Sequence, residues 1–117
     1  MRALAELYKA FTDTTRLDMI VLMSRHGELC VCDFEGVLGL SQSAASRHLR
    51  RLYQAGVADS RRRGAWVYYR LREPLEPPRD VLVRALLDQV DDAHCLALDC
   101  AHAAWVACKA EGETCPS

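Results

Sequence analysis

The stretch VLGLSQSAASRHLRRLYQAG, residues 37–56, carries the pattern that decides the fold. It overlaps the end of a short helix predicted over Val31–Leu38, which Gly39 ends. Ser41 is a residue type that caps helix N-termini, so a second helix is predicted to begin there and to end before Gly56. Two helices joined by a short turn that contains glycine are typical of a helix-turn-helix.

The residues after this motif change from a helical to a strand-like pattern. Two short runs, Val57–Arg61 and Ala65–Leu71, flank an Arg-Arg-Gly tip. The second run is rich in Trp, Val and Tyr, which favour strands. The sequence therefore predicts a two-stranded β-hairpin directly after the helix-turn-helix, which is the arrangement called a wing.

Further helices are predicted on both sides of this centre. Residues 2–11 place apolar side chains on one helical stripe, which predicts an N-terminal helix. The helix after it is predicted to begin with a capping box formed by Thr15 and Asp18 and to end at Gly27. Beyond a proline-rich joint, an apolar periodicity predicts one or two C-terminal helices. The predicted fold class is mainly α with a two-stranded hairpin, a winged helix-turn-helix in the order α-α-α-α-β-β-α. The predicted domain organisation is a single domain over 1–117, with the helix-turn-helix at 28–56, the wing at 57–72, the C-terminal helices at 78–110 and a flexible tail at 111–117.

Composition limits the possible classes of protein. The 117 residues are 50% hydrophobic and 26% charged, and no apolar run approaches the ~18 residues of a membrane span. Glu6 and Lys9 interrupt the start where a signal peptide would be apolar. We therefore expect a cytoplasmic protein with no membrane partner, in which the six cysteines are reduced thiols or metal ligands.

Charge is distributed unevenly along the chain. The segment from Ser41 to Arg72 holds eight arginines and one acid, Asp59, for a net charge of +7, whereas the rest of the chain carries −8. Most arginine runs are simply solvated surface. A basic centre between acidic ends nevertheless favours a local face that binds a polyanion such as DNA.

The predicted reading helix has the residue order that major-groove recognition needs. Small polar residues occupy its first turns. Arg47 can bind a guanine through two hydrogen bonds, and later arginines can contact phosphates. Two arginines at the wing tip can reach the DNA backbone or a minor groove. The predicted DNA-binding residues are Gln42, Ser43, Ser46, Arg47, Arg50, Arg51, Arg62 and Arg63.

The segment ELCVCDFEGVLGLSQSAASRHLRRLYQAGVADSRRRGAWVYYRL resembles the central part of the ArsR/SmtB family of metal-sensing winged-helix repressors. The earlier KAFTDTTRLDMIVLM resembles the junction between that family's first two helices, so the likeness covers about residues 4–72. It implies a homodimer joined through its N- and C-terminal helices. It also implies repression through operator DNA, with release when a metal or metalloid binds.

Within that family, ELCVCD resembles the site of arsenite sensors and of cadmium/lead sensors, which implies that Cys30 and Cys32 are the metal ligands. Thiolates select soft thiophilic ions, and a helix N-terminus lowers a cysteine pKa. The alternative is that both cysteines are buried hydrophobic residues. Residues i and i+2 of a regular helix project about 200° apart. We therefore expect convergence on one ion to unwind the start of the first helix of the motif and to move the reading helix off DNA.

The sequence leaves the third ligand open. The third cysteine that arsenite sensors often carry further along this helix is absent, and so are the N-terminal thiols of the cadmium/lead type. The candidates are a small external thiol or, from either chain of a dimer, Cys95, Cys100, Cys108 and Cys115.

A rival site is suggested by a second pattern. Asp92 and His94 partly match the C-terminal ligands of zinc, cobalt or nickel sensors, but Trp105 stands where a third ligand is expected. Such a partial match is more often chance.

The prediction is therefore an arsenite-responsive repressor, with As(III) as inducer, Sb(III) as a further candidate and no catalytic cofactor. The alternatives are a Cd(II), Pb(II) or Zn(II) sensor of the same family and a thiol redox switch. A thiol enzyme such as an arsenate reductase is disfavoured, because no arginine lies six positions after any cysteine. We accordingly predict a protein that is not an enzyme.

Overall fold

The computed structural model describes residues 1–111 and contains six helices and three strands within them. The elements in chain order are α1 (Arg2–Ala10), α2 (Thr14–His26), β1 (Leu29–Cys30), α3 (Val31–Leu38), α4 (Gln42–Gln54), β2 (Ala58–Arg63), β3 (Trp66–Leu71), α5 (Arg79–Gln89) and α6 (Asp92–Ala110).

Local capping chemistry explains where the motif helices begin and end. The Ser41 hydroxyl accepts a hydrogen bond from the Ala44 amide at 3.2 Å, so α4 begins as predicted. Gly39 has a φ of 66°, the left-handed conformation that ends α3. The predicted capping box of Thr15 and Asp18 is wrong, because α2 is instead capped by Asp13. Asp13 and Thr15 are both residue types that cap helices, and the observed cap lies two residues before the predicted one.

The sheet has three strands and not the predicted two. The order is β1-β3-β2, with both pairs antiparallel. In β1, Leu29 lies opposite Tyr69 and Cys30 opposite Tyr68. Two residues are too few to show a strand periodicity in sequence, and β1 forms only because β3 presents an edge to it. The wing is thereby joined directly to the start of α3.

The core lies beneath the helix-turn-helix and orients the reading helix. Phe34 of α3 and Leu49 and Leu52 of α4 are fully buried, together with Ile20 of α2. Burial of large apolar side chains is the main favourable contribution to folding. Because the apolar stripe of α4 faces this core, its other side faces solvent.

The C-terminal region forms two helices, which decides between the predicted alternatives. Val90 is extended and the Asp91 carboxylate caps α6 by accepting from the His94 amide at 2.7 Å. Of the predicted tail at 111–117, Glu111 lies in a turn and residues 112–117 lie outside the described residues. Over residues 1–111, the helices are all too short or too polar to cross a bilayer.

Candidate metal and DNA-binding sites

The exposed side of α4 carries the predicted reading residues. Gln42, Ser43 and Arg47 are exposed, and Ser46 is half-buried. The Arg47 Nε donates to the Ser43 carbonyl at 3.3 Å, which holds the guanidinium along the helix surface. Arg50 is exposed further along the same helix. The structure therefore brings together the α4 residues that the sequence assigned to DNA, with Arg51 exposed on the next turn.

Arg16 of α2 joins this surface and was missed by the sequence reasoning. Its Nη1 lies 3.0 Å from His48 Nδ1, while its Nη2 donates to the Lys9 carbonyl. Burial lowers the pKa of His48 beyond what the nearby Asp13 carboxylate offsets. A groove of about 600 Å³ is lined by Arg16, Ser43, Ser46, Arg47, His48, Arg50, Arg51 and Gln54. Arg16 and His48 are 32 residues apart, so only the folded chain shows that they meet.

The wing arginines are held in part by an acid beside the thiol pair. Arg61 Nη2 and Arg63 Nη2 both donate to Glu28 Oε1, at 2.6 and 3.0 Å. The hydrogen bond from Arg61, together with the positive charges of Arg61 and Arg63, lowers the pKa of Glu28. Arg62 is exposed at the end of β2, beside the turn at Gly64. The two predicted wing residues, Arg62 and Arg63, are thus both at the hairpin tip, but Arg63 is already paired.

The thiol pair lies at the start of α3 and is buried. Cys30 and Cys32 are 4% and 7% exposed, and their sulfur atoms are joined as a disulfide with the Cα atoms 5.3 Å apart. Cys30 is the N-cap, and its Sγ accepts a hydrogen bond from the Cys32 amide at 3.1 Å. The two cysteines therefore meet at a helix N-terminus, but as a disulfide and not as the reduced thiols expected from the sequence. A shared ligand site requires that this bond be reduced.

This geometry contradicts one expectation from the sequence. Cys30 and Cys32 were expected to diverge within a regular helix, so that convergence would unwind its start. Cys30 instead lies outside the helix with extended dihedrals, φ −79° and ψ 158°, and α3 is intact over Val31–Leu38 while the sulfurs meet. Convergence of the two sulfurs does not by itself unwind α3.

Asp33 completes a buried cluster with the thiol pair. One ligand atom from each of Cys30, Cys32 and Asp33 lies within 4.8 Å of the others. Asp33 Oδ2 accepts from the Cys30 amide at 2.8 Å, and Oδ1 accepts from Trp105 Nε1 at 2.8 Å and from Lys109 Nζ. Burial raises the pKa of Asp33, but these hydrogen bonds outweigh it and the net pKa is lowered. The cluster therefore offers one ionised carboxylate and, once the disulfide is reduced, two thiols.

The candidate third thiols lie away from this cluster in the described chain. Cys95 is buried on α6, Cys100 is exposed and Cys108 is half-buried. Among residues 1–111, the cluster of Cys30, Cys32 and Asp33 contains none of them. Cys115 lies outside the described residues.

At the rival site at the start of α6, the predicted ligand His94 instead binds a carboxylate of α2. His94 Nε2 lies 2.6 Å from Asp18 Oδ1 of α2, and this hydrogen bond raises the pKa of His94. Within the described part of the chain, Asp92 and His94 belong to no group of three potential ligands. Trp105, at the expected ligand position, donates to Asp33.

Comparison with known proteins assigns the chain to a family. A model of the bacterial regulatory protein arsR family matches residues 13–60. A cadmium resistance transcriptional regulatory protein, a CadC homolog from Staphylococcus aureus, is 39% identical over 85 residues that cover 73% of this chain and 69% of that protein. The chain belongs to the arsR family. The family and this relative are transcriptional regulators and not enzymes, which is the class predicted from the sequence.

Two further likenesses bear on this arsR-family chain. The arsenic resistance transcriptional regulator ArsR1 of Pseudomonas putida is 43% identical over 82 residues, which cover 70% of this chain. The match covers 64% of ArsR1, so the chain spans less than two thirds of that relative. The crystal structure of the AntR antimony-specific transcriptional repressor superposes with a TM-score of 0.62 at 26% identity, covering 78% of this chain and 79% of AntR. The predicted winged helix-turn-helix fold is confirmed.

Proposed function

We propose that this chain is a cytoplasmic, arsenite-responsive transcriptional repressor that binds operator DNA as a homodimer. Arsenite held by Cys30 and Cys32 releases the DNA. The observation that carries the proposal is that two buried cysteines meet at the N-terminus of the first helix of the helix-turn-helix, where reduction of their disulfide gives two neighbouring thiols. The likeness to an arsenic resistance regulator agrees with this ligand class.

The binding chemistry balances without an oxidant when both cysteines are reduced. Arsenite at neutral pH is As(OH)₃, and each thiol forms one As–S bond while one As–O bond breaks. The two thiol protons leave with the two hydroxyl groups as two water molecules. One As–OH group remains, and a third thiol can replace it in the same way.

Capture of arsenite acts on a sulfur that also caps α3. Cys30 Sγ accepts a hydrogen bond from the Cys32 amide, and an As–S bond would use the same sulfur lone pairs. Loss of an N-cap costs about 1 kcal/mol, which lies near the ~1–3 kcal/mol typical of coupling between sites. Because Cys30 also pairs with Tyr68, the disturbance reaches both α3 and the wing.

Exposed apolar side chains on the terminal helices support the proposed dimer. Tyr8 on α1 is 48% exposed, Val81 on α5 is 60% exposed and Leu96 on α6 is 63% exposed. Such residues on helices at both ends of the chain are available for a two-fold interface. A dimer also suits DNA, because one such domain makes few base contacts by itself.

The experiment is a gel shift of operator DNA with reduced wild-type protein and with the double variant Cys30→Ser/Cys32→Ser. Both proteins are expected to bind the DNA, and arsenite is expected to release only the wild type. The control is Cys100→Ser, which changes an exposed thiol outside the cluster and keeps Cys30 and Cys32, so arsenite should still release its DNA. Release of the double variant by arsenite would refute the site.

A divalent-metal sensor is the second candidate, favoured by the carboxylate in the cluster and by the CadC homolog. Carboxylate oxygen joins thiolates as a ligand for Zn(II) more readily than for a soft metalloid. Parallel titrations with arsenite, antimonite, Cd(II), Pb(II) and Zn(II) separate the candidates by the concentration that releases DNA. Release by peroxide without any metal would instead favour a redox switch.

A further inference from the structure

The C-terminal helix reaches the thiol pair through one buried carboxylate. Asp33 is 7% exposed, and each of its oxygens has a partner on a different side. Oδ2 accepts from the backbone amide of Cys30, whereas Oδ1 accepts from Trp105 and Lys109 of α6. The proposed ligand Cys30 and the end of α6 are thus two hydrogen bonds apart.

A glycine on α3 makes this contact possible. A Cβ atom built on Gly36 would lie 2.2 Å from Trp105 Cε3, so any larger residue would displace the indole. Gly36 follows Asp33 by three residues and lies on the same helical face. The indole ring therefore rests on the backbone of α3 while its Nε1 reaches the carboxylate. Lys109 Nζ lies 5.9 Å from the centre of that ring and supplies the positive charge.

We propose that Asp33 is a positioning residue through which α6, by means of Trp105 and Lys109, preorganises Cys30 and Cys32 for capture of a thiophilic ligand. This inference rests on the proposed function where the ligand is arsenite. It makes the C-terminal helix part of the sensing site as well as a candidate dimer element.

The physical reason is that a buried carboxylate stays in place only while its charge is satisfied. Removing Lys109 leaves the Asp33 charge buried and less compensated, which favours movement of the carboxylate toward water. The hydrogen bond from the Cys30 amide to Asp33 is then lost, and Cys30 becomes more mobile. By linkage, a ligand that needs the ordered thiol pair also stabilises the docking of α6.

The first test needs no arsenite. Reduced proteins are alkylated with iodoacetamide, and the modification of Cys30 and Cys32 is followed by mass spectrometry. Asp33→Asn, Trp105→Phe and Lys109→Met are expected to react severalfold faster than wild type, since the side chains of Cys30 and Cys32 are buried in the intact site. Trp66→Phe, which changes an exposed tryptophan of the wing, is the matched control and should react like wild type.

The second test measures arsenite affinity by calorimetry on the same reduced proteins. Trp105→Phe and Lys109→Met are expected to raise the Kd by about 5-fold or more, the lower end of ordinary coupling. Lys109→Arg keeps the charge and the donor, so it should restore the wild-type Kd. Lys9→Met, which changes an exposed lysine of α1, should leave the Kd unchanged.

A spectroscopic readout separates positioning from loss of structure. In the Trp66→Phe background Trp105 is the single tryptophan, because the chain has two. Arsenite is expected to change its emission, and Asp33→Asn should abolish the change while far-ultraviolet circular dichroism stays native. Wild-type alkylation rates and arsenite Kd in both Trp105→Phe and Lys109→Met would overturn the inference. If wild-type protein binds no arsenite, the proposed function fails, and the alkylation rates alone decide the inference.

Discussion

At the scale of single residues, Cys30 combines three roles. It is the last residue of β1, the N-cap of α3 and one of the two proposed ligands. Its amide donates to Asp33 and its sulfur accepts from Cys32. A change of chemistry at this one sulfur therefore acts on a strand, a helix and a buried carboxylate together.

The role of Arg47 gives a prediction at the same scale. Arg47→Ala is expected to weaken discrimination between operator and unrelated DNA by about 1–3 kcal/mol, because its exposed guanidinium on α4 can bind a base edge through two hydrogen bonds. Competition binding followed by fluorescence anisotropy measures this. Arg62→Ala should instead weaken binding to both DNAs alike and reduce the salt slope by about 1. Equal losses on the two DNAs for Arg47→Ala would contradict its base-reading role.

The role of a residue could be predicted from sequence where it depends on neighbours in the chain. It could not be predicted where it depends on partners far away in the sequence. Ser41 caps α4 through an amide three residues away, so its residue type and its place before the helix were sufficient. Asp33 binds Trp105 and Lys109, which are 72 and 76 residues further along the chain. The role of that carboxylate in the site could not be predicted, because it depends on the packing of α6 against α3.

At the scale of elements, β1 links the thiol site to the wing. Its two residues pair with Tyr69 and Tyr68 of β3, and the preceding Glu28 binds two arginines of β2. The helices and the hairpin have periodicities that sequence can show, whereas β1 has none. Its existence depends on the edge of a neighbouring strand.

Glu28 provides a prediction about the wing. Glu28→Gln is expected to increase affinity for unrelated DNA, because Arg61 and Arg63 lose a competing carboxylate and can meet phosphates. Each added phosphate contact should steepen the slope of log affinity against log salt by about 0.9. Titrations at several salt concentrations test this. Asp59→Asn, whose carboxylate pairs with Arg72, is the control, and a slope unchanged in Glu28→Gln would count against the idea.

At the scale of the whole molecule, α6 joins elements that are far apart in sequence. Its first half binds α2, where Asp99 accepts from Arg25 at 2.6 Å and lies 2.9 Å from His26. The Arg25 hydrogen bond, with a smaller contribution from His26, lowers the pKa of Asp99 to about 2. Its second half binds Asp33 of α3. The sequence predicted helical structure here, but the residues that α6 contacts follow from tertiary packing.

The two histidines of α6 predict opposite effects of pH on stability. The hydrogen bond to Asp18 raises the pKa of His94, so the stability it contributes is present below 6.5 and lost as the pH rises through the raised pKa. Burial, with the nearby charge of His26, lowers the pKa of His102. The contribution of His102 is therefore present above 6.5 and lost as the pH falls through its lowered pKa.

Urea unfolding at pH values well below and well above 6.5 tests the opposite pH effects predicted for His94 and His102. His94→Gln should lower the free energy of unfolding mainly at acid pH, and His102→Gln mainly at alkaline pH. A deficit of the same size at both pH values in His94→Gln would show that the histidine charge does not act through Asp18.

The most direct test of the account is arsenic-edge X-ray absorption on reduced protein loaded with one equivalent of arsenite. The wild type should show arsenic–sulfur scattering, and Cys30→Ser/Cys32→Ser should lose it. The single variants Cys95→Ser, Cys100→Ser and Cys108→Ser should each keep at least the two sulfurs of Cys30 and Cys32. Undiminished sulfur scattering in Cys30→Ser/Cys32→Ser would place the metalloid on other thiols and contradict the account.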